Sequence, residues 1–304
     1  MIAFESFRER LTNELQEIEA SLLDLWQKSR IKEFRNDPSS GVIFITHPYS
    51  WETLAVEHRT TQARLLGRYQ HWYELFYRCH VQHSSDVQGE LDTVNKYVLS
   101  AIELRTDWAT GATFAENHAY FLKQINLFRQ FLQPPAADEA EFILIPDTNA
   151  LLKSAEPSQY GDVIDDARFK FVIVPTVLAE LDGLKRNRAN QPLGEKAEKA
   201  IRIIKGFRAQ GSVLEGVTVN KTIKVQMVPT EPRMKELPSW LDAENKDDRI
   251  IGSILEIQCG QFSAVVVLVT DDINLQNKAE MAFLPWSEPP EFVTKVVSLT
   301  AAAK

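Results

Sequence analysis

The chain has 304 residues, of which 44% are hydrophobic and 25% are charged, and its formal net charge at pH 7 is −8. This length allows one large domain or two ordinary ones, and these proportions are typical of folded globular proteins rather than disordered or membrane-spanning chains. The acidic balance excludes a general electrostatic attraction to nucleic acids or anionic membranes, so a polyanionic partner would have to bind a local basic patch.

Apolar residues in the first half of the chain recur at the spacing of helices. The pattern predicts four helices, which run from Phe4 to Leu25, from Trp51 to His80, from Val87 to Ile102 and from Phe114 to Leu132. The loop from Asn36 to Gly41 separates the first two. We therefore predict an all-α helical domain over residues 1–133, arranged as an antiparallel bundle or an array of hairpins, whose role the sequence does not reveal.

The composition changes at QPPAADEAE, where paired prolines, alanines and acids predict a linker over residues 134–141. Beyond it, the apolar runs FILI, FVIV, VTVNKTIKVQMV and AVVVLV alternate with helical patterns. This alternation is typical of an α/β domain around a mostly parallel sheet. We predict that domain over residues 142–304.

Acidic residues stand where the predicted strands and helices begin or end. Asp147 follows FILIP, Glu180 lies in the helix after FVIV, Asp247 and Asp248 open another helix, and Asp271 and Asp272 follow AVVVLVT. Each acid alone is explained by helix capping or a turn. Several carboxylates at one sheet edge would repel one another, and Mg²⁺ or Mn²⁺ bound by their oxygens would relieve that repulsion. The pattern therefore predicts a magnesium or manganese site.

The chain carries four motifs in the order PDTNALL, VPTVLAELDGLKR, KDDRIIGSIL and LVTDDINLQNKA. Together they make residues 142–284 resemble the PIN domain family, in the branch that carries ELDGL and TDD segments. One such motif would be a weak signal, whereas four in order are a strong one. The resemblance implies an endoribonuclease that hydrolyses phosphodiester bonds of single-stranded RNA with the help of Mg²⁺ or Mn²⁺.

The resemblance also implies a role for individual residues. The metal-binding and catalytic acids would be Asp147, Glu180, Asp248 and Asp272, with Asp247 and Asp271 as neighbours that could replace or assist them, and Asn149 and Thr270 as polar neighbours that orient the carboxylates. Asn149 also argues against a rival class of enzyme. A phosphatase of the haloacid dehalogenase type needs a second aspartate two residues after the first, and this chain has Asn149 there instead.

Lys185, Arg186 and Arg188 form a basic cluster directly after the helix that carries Glu180. Their position predicts contacts with RNA phosphates beside the metal site. Further basic residues recur every three positions from Lys196 to Arg208, which makes a spiral around a helix rather than one stripe.

Other functions stay open at this stage. The domain could be a catalytically silent scaffold with a PIN fold, whose helical half binds a protein partner, or the toxin of a toxin–antitoxin pair, although such toxins are usually a bare domain. A structure-specific DNA nuclease would need a helical arch, and the segment from Lys185 to Gly194 is short for one. Zinc is not predicted, because Cys79, His80 and His83 provide too few sulfur ligands.

Localisation is judged from three negative signals. The longest apolar run, Ala264 to Val269, is too short to span a bilayer, and no leader sequence is recognised. Cys79 and Cys259 lie far apart in the sequence and form no CxxC motif, so no disulfide framework is expected and a reducing cytoplasm is the simpler interpretation. The sequence therefore predicts a cytoplasmic protein without a membrane partner.

Overall fold

The computed structural model describes residues 4–33, 48–105, 108, 110–133, 141–166, 168–187 and 190–291. The chain divides into two compact units. We call the one within Arg8–Asp138 the helical unit, and the one formed by Glu139–Lys304 with Met1–Phe7 the sheet unit. The predicted linker falls at their junction, and residues 134–140 of it lie outside the described residues. The boundaries at 133 and 142 stay a prediction.

Helices dominate the helical unit, as the apolar spacing predicts. They are α1 (Phe7–Gln27), α2 (Val56–His80), α3 (Ser85–Glu103) and α4 (Phe114–Phe131). The aromatic residues of α2 at helical spacing form the core, where Trp72 is fully buried and stacks on Phe76 with ring centroids 4.9 Å apart. The Trp72 Nε1–H donates a hydrogen bond of 2.8 Å to the Leu11 carbonyl, which satisfies its one buried polar group.

The second helix begins five residues later than the sequence predicts. Trp51 lies instead in β2 (Tyr49–Trp51), which pairs antiparallel with β1 (Ile31–Glu33). Helical periodicity could not reveal this ribbon, because its hydrogen bonds join two segments that are distant along the chain. The predicted loop from Asn36 to Gly41 lies outside the described residues.

The sheet unit is an α/β domain with a mostly parallel sheet, as predicted. The described strands are β3 (Phe142–Pro146), β4 (Phe169–Ile173), β5 (Val217–Val219), β6 (Ile223–Met227), β7 (Val265–Val269) and β8 (Trp286–Ser287), in the order β5-β6-β4-β3-β7-β8. The helices are α5 (Thr148–Lys153), α6 (Pro175–Arg186), α7 (Gln191–Arg208), α8 (Lys246–Gly260) and α9 (Ile273–Met281), with short 3-10 helices at Pro157–Val163 and Met234–Glu236.

One run that reads as a single strand is a hairpin. VTVNKTIKVQMV forms β5 and β6, because Asn220 and Lys221 adopt positive φ angles of 49° and 65° and reverse the chain. Two consecutive left-handed residues are the geometry of the tight turns that suit twisted hairpins, and asparagine tolerates that conformation well. β5 is consequently the one antiparallel strand of the described sheet.

The topology determines where a site can form. β3 lies inside the sheet between β4 and β7, and it is parallel to both. The carboxyl ends of these three strands therefore meet at one edge, where ligands bind in open parallel sheets. No helix among the described residues is long and apolar enough to cross a bilayer.

The cysteines correct one expectation. Neither Cys79 nor Cys259 is a free thiol in the structure. The lack of a CxxC motif excluded only local pairing, so it could not decide the state of two cysteines distant in sequence. The cysteines therefore give no support to a reducing compartment.

Candidate active site

Asp147 is the first residue after β3, and its side chain is only 4% exposed. It caps the amino end of α5, where its Oδ1 accepts a hydrogen bond of 2.6 Å from the Ala150 N–H. Its Oδ2 accepts a hydrogen bond of 2.5 Å from the hydroxyl of Thr270, which follows β7. The carboxylate is thus held in one orientation by two neighbouring strand ends.

Burial raises the pKa of Asp147 from 3.8 to about 6. The hydrogen bonds from Thr270 and Ala150 favour the charged form and lower the pKa, while the charges of Asp271 and Asp272 raise it. The structure therefore brings the acids of β3 and β7 close enough to interact electrostatically, as the pattern of strand ends predicts.

This shift predicts that Asp147 destabilises the fold as pH rises. Between about pH 4 and pH 6 the folded protein keeps a proton that the unfolded chain has already released, so the free energy of unfolding falls across that window. We expect the wild type to lose about 2 to 3 kcal/mol relative to Asp147→Asn between pH 4 and pH 7. Urea unfolding of both proteins in EDTA measures this, and parallel pH curves would contradict it.

Glu180 reaches the site from α6. The Thr148 hydroxyl donates a hydrogen bond to Glu180 Oε2, which ties this acid to the residue directly after Asp147. The ammonium of Lys246 lies 3.7 Å from Oε1 of Glu180. The acids of the site therefore come both from the end of β3 and from α6, the helix that follows β4.

Asp272 and Thr270 extend the site along β7. Oδ1 of Asp272 caps α9 by accepting hydrogen bonds of 2.8 Å from the Asn274 N–H and 3.3 Å from the Leu275 N–H. The fully buried Thr270 hydroxyl accepts a hydrogen bond of 3.0 Å from the Asp272 N–H while it donates to Asp147. Thr270 therefore contacts both residues, and the role of orienting the carboxylates, which the resemblance implies, stays a prediction.

The two acids of α8 have different surroundings. Asp247 lines the cleft described below, whereas Asp248 is buried and does not line it. Oδ2 of Asp248 accepts a hydrogen bond of 3.0 Å from the Asp242 N–H, and the Lys278 ammonium lies 2.8 Å from its Oδ1. The same ammonium lies 3.5 Å from Oδ2 of Asp247. Both oxygens of Asp248 are thus occupied by protein groups.

Four acids share one cleft of about 360 Å³. Its lining consists of Asp147, Thr148, Asn149, Ala179, Glu180, Gly183, Leu184, Asn187, Lys246, Asp247, Ile250, Asp272 and Leu275. Of the predicted residues, Asp147, Asn149, Glu180 and Asp272 lie here together, with Asp247 in the place expected for Asp248. We call this the acid cleft.

The predicted substrate-binding residues lie beside the acid cleft rather than in it. Lys185 and Arg186 are exposed at the end of α6, and the Lys185 ammonium lies 3.8 Å from Oε1 of Glu198. Asn187, which comes next, does line the cleft. Arg188 lies outside the described residues.

Lysines next to the acids are the feature that the sequence reasoning missed. Lys246 faces Glu180, Lys278 faces Asp248, and the Lys153 ammonium lies 2.5 Å from Oδ2 of Asp271. Opposite charges at these distances relieve part of the repulsion that a metal ion was expected to relieve. Lys153 and Lys278 lie in the last turns of short helices, where basic residues are common for other reasons, so their positions carry no signal of such contacts.

The donor chemistry of the acid cleft fits a hard divalent cation. Its polar lining includes carboxylate, hydroxyl and amide groups, whose oxygens are the ligands that Mg²⁺ and Mn²⁺ prefer, together with one ammonium group, that of Lys246. Burial, and to a smaller extent the charges of Asp271 and Asp272, disfavours the charged form of Asp147, and a bound cation would favour that form. As they stand, no three acid, histidine or cysteine side chains of the described residues are grouped closely enough to hold an ion. Binding of an ion would therefore require some of the acid side chains to move closer together.

Comparison with known proteins adds a family assignment for this region. The family model described as PIN domain matches residues 144–285, a span that runs from β3 to the residue before β8 and includes every acid of the site. A search of curated proteins finds no match for the chain.

Proposed function

We propose that this chain, whose residues 144–285 are a PIN domain, is an endoribonuclease that hydrolyses phosphodiester bonds of single-stranded RNA. PIN domains are in general nucleases and generally depend on divalent metals. The fold and the family thus indicate a nuclease, and the choice of RNA and of internal cleavage is our proposal.

One observation carries the proposal: four carboxylates line a single cleft at the carboxyl edge of the sheet. Hydrolysis of a phosphodiester needs an activated water and positive charge next to the phosphate. Mg²⁺ or Mn²⁺ supplies both when bound, as a Lewis acid that lowers the pKa of water and offsets phosphate charge. We find no need to assign a side-chain nucleophile.

The residues of the acid cleft would have different roles in the proposed reaction. Asp147, Glu180 and Asp272 would hold the cation, together with an acid of α8. Asp247 already faces the acid cleft, whereas Asp248, the residue that the resemblance implies, would first have to leave Lys278. Thr270 orients Asp147 through its hydroxyl, and Asn149 would contribute its amide at the rim.

Partners and location remain parts of the proposal. Lys185, Arg186 and Arg188 would bind RNA phosphates beside the cleft, and the helical domain that the sequence predicts over residues 1–133 would bind a protein partner. A cytoplasmic location rests on the sequence reasoning alone.

The test combines cleavage and stability. Purified protein is incubated with labelled single-stranded RNA, or with DNA of the same sequence, in Mn²⁺ or in EDTA. We expect RNA to be cut internally in Mn²⁺ only, and the melting temperature to rise, because an ion at 100 times its Kd stabilises the fold by about 2.7 kcal/mol. Cleavage of DNA alone would show that the substrate is wrong.

A catalytically silent scaffold is the second candidate. The lysines that face Glu180 and Asp248, and the lack of an assembled group of three acids among the described residues, favour it. A scaffold would neither cut RNA nor gain stability from Mn²⁺, so either positive result in the same experiment argues against it.

A further inference from the structure

A second cleft, of about 350 Å³, lies between the end of α5 and one side of α7. Its lining consists of Leu151, Leu152, Lys153, Ser154, Ala155, Glu156, Gln159, Lys196, Lys199, Ala200 and Ile203. We call it the lysine cleft, because three of its four charged residues are lysines. An apolar floor with a cationic rim is the kind of surface that accepts a charged, partly apolar polymer.

The lysines of α7 in this cleft lie on one face of the helix. Lys196, Lys199 and Ile203 are three and four residues apart, so their side chains project to the same side. Both lysines are exposed, and no carboxylate of the described residues forms an ion pair with either. They are therefore available to an external anion, unlike Lys185, Lys246 and Lys278, which already lie near acids.

Lys153 connects the lysine cleft to the acid cleft. It lines the lysine cleft, and its ammonium lies 2.5 Å from Oδ2 of Asp271. Asp271 directly precedes Asp272 of the acid cleft, and its charge raises the pKa of Asp147. A strand whose scissile phosphate lies in the acid cleft can thus pass over Lys153 to reach Lys196 and Lys199.

We propose that the lysine cleft binds the phosphates of single-stranded RNA on one side of the scissile bond. This inference rests on the proposed nuclease function, for which it supplies the path of the substrate. Phosphates contact Lys196 and Lys199, and the apolar floor accommodates ribose and base. Only part of the basic spiral of α7 takes part, since Lys205 is nine residues from Lys196, about two and a half turns, and lies on the opposite side of the helix.

The test compares two double variants that remove the same charge from the same helix. Lys196→Gln with Lys199→Gln changes the lysine cleft, and Lys205→Gln with Arg208→Gln is the matched control on exposed positions outside it. Binding of fluorescent single-stranded RNA is measured by anisotropy in EDTA over a series of salt concentrations. Thermal unfolding checks that both variants fold like the wild type.

We expect the cleft variant to lose two phosphate contacts. Each contact contributes about −0.7 to the slope of log K against log salt for single strands, so the slope should become shallower by about 1.4. At 0.1 M salt this corresponds to a loss of affinity of about 25-fold, while the control changes much less. Equal losses in both variants would overturn the proposal, because the attraction would then be diffuse, and so would a wild type that does not bind RNA.

A cleavage assay in Mn²⁺ separates this proposal from the function on which it rests. If the wild type cuts RNA but the two double variants bind and cut alike, the lysine cleft is not a subsite and the nuclease proposal stands. If the wild type binds RNA with the expected slopes but cuts nothing, the cleft is supported and the nuclease proposal fails.

Discussion

Asp147→Asn is expected to lower metal-dependent RNA cleavage by at least about 100-fold, since losing even the outer partners of metal ligands typically costs 10- to 100-fold. The asparagine keeps the size and the amide oxygen that can cap α5, but it lacks the charge that holds a cation. Burial raises the pKa of Asp147, so keeping its carboxylate charged lowers the free energy of unfolding of the wild type. Without metal, the variant should therefore be at least as stable as the wild type.

Single-turnover cleavage of labelled RNA in Mn²⁺ measures this loss, and thermal unfolding in EDTA checks the fold. Asp162→Asn is the matched control, because Asp162 is exposed in a 3-10 helix of the same unit and does not line the acid cleft. Undiminished cleavage by Asp147→Asn would refute the site assignment. A strongly destabilised variant would show that the carboxylate serves the fold instead.

Lys278→Met should lower the free energy of unfolding without metal by about 3 kcal/mol. The variant leaves Asp248 buried without its cation, and removing one partner of a buried ion pair typically costs 3 to 5 kcal/mol. The neighbouring Asp247 loses an ammonium that lies 3.5 Å from its Oδ2 as well. A divalent ion should then restore stability, so the gain from Mn²⁺ should exceed that of the wild type.

Lys246→Met provides the control for that result. Its side chain is 63% exposed and its ammonium lies 3.7 Å from Glu180, so it should cost less than about 1 kcal/mol. Urea unfolding of the three proteins, with and without Mn²⁺, measures both effects. If Lys278→Met and Lys246→Met behave alike, Lys278 does not act as the counter-charge of the α8 acids.

The sequence predicts the backbone of the site better than its side chains. Asp147 and Asp272 follow strands whose apolar runs are unmistakable, and parallel pairing brings such positions together whatever the loops do. The sequence could not predict in the same way which of Asp247 and Asp248 has its side chain in the acid cleft. Neighbouring residues in a first helical turn point about 100° apart, and which one meets the cleft depends on how α8 packs.

Contacts between distant segments account for the other differences. The ribbon of β1 and β2 and the ion pair of Lys278 with Asp248 each join residues with no common local pattern. The hairpin at Asn220 differs from these contacts, because the sequence does contain a local turn signal for it. The signal is weak, since the residue after the asparagine is Lys221 rather than the usual glycine.

The pairing of β3 with β7 determines the distance between the residues that follow the two strands. Pro146 pairs with Val269, so Asp147 and Thr270 leave neighbouring strands side by side, about 4.8 Å apart. The ladder continues past both strands, because the Asp147 N–H donates to the Val269 carbonyl at 3.0 Å and the Thr270 N–H donates to the Ser287 carbonyl at 2.9 Å. The spacing of Asp147 and Thr270 is therefore set by the pairing of β3 with β7, and β8, whose side chains do not line the acid cleft, pairs with the other side of β7. A chain cut before Trp286 would keep every acid and the pairing of β3 with β7, but the Thr270 N–H and the outer side of β7 would lose their backbone partners.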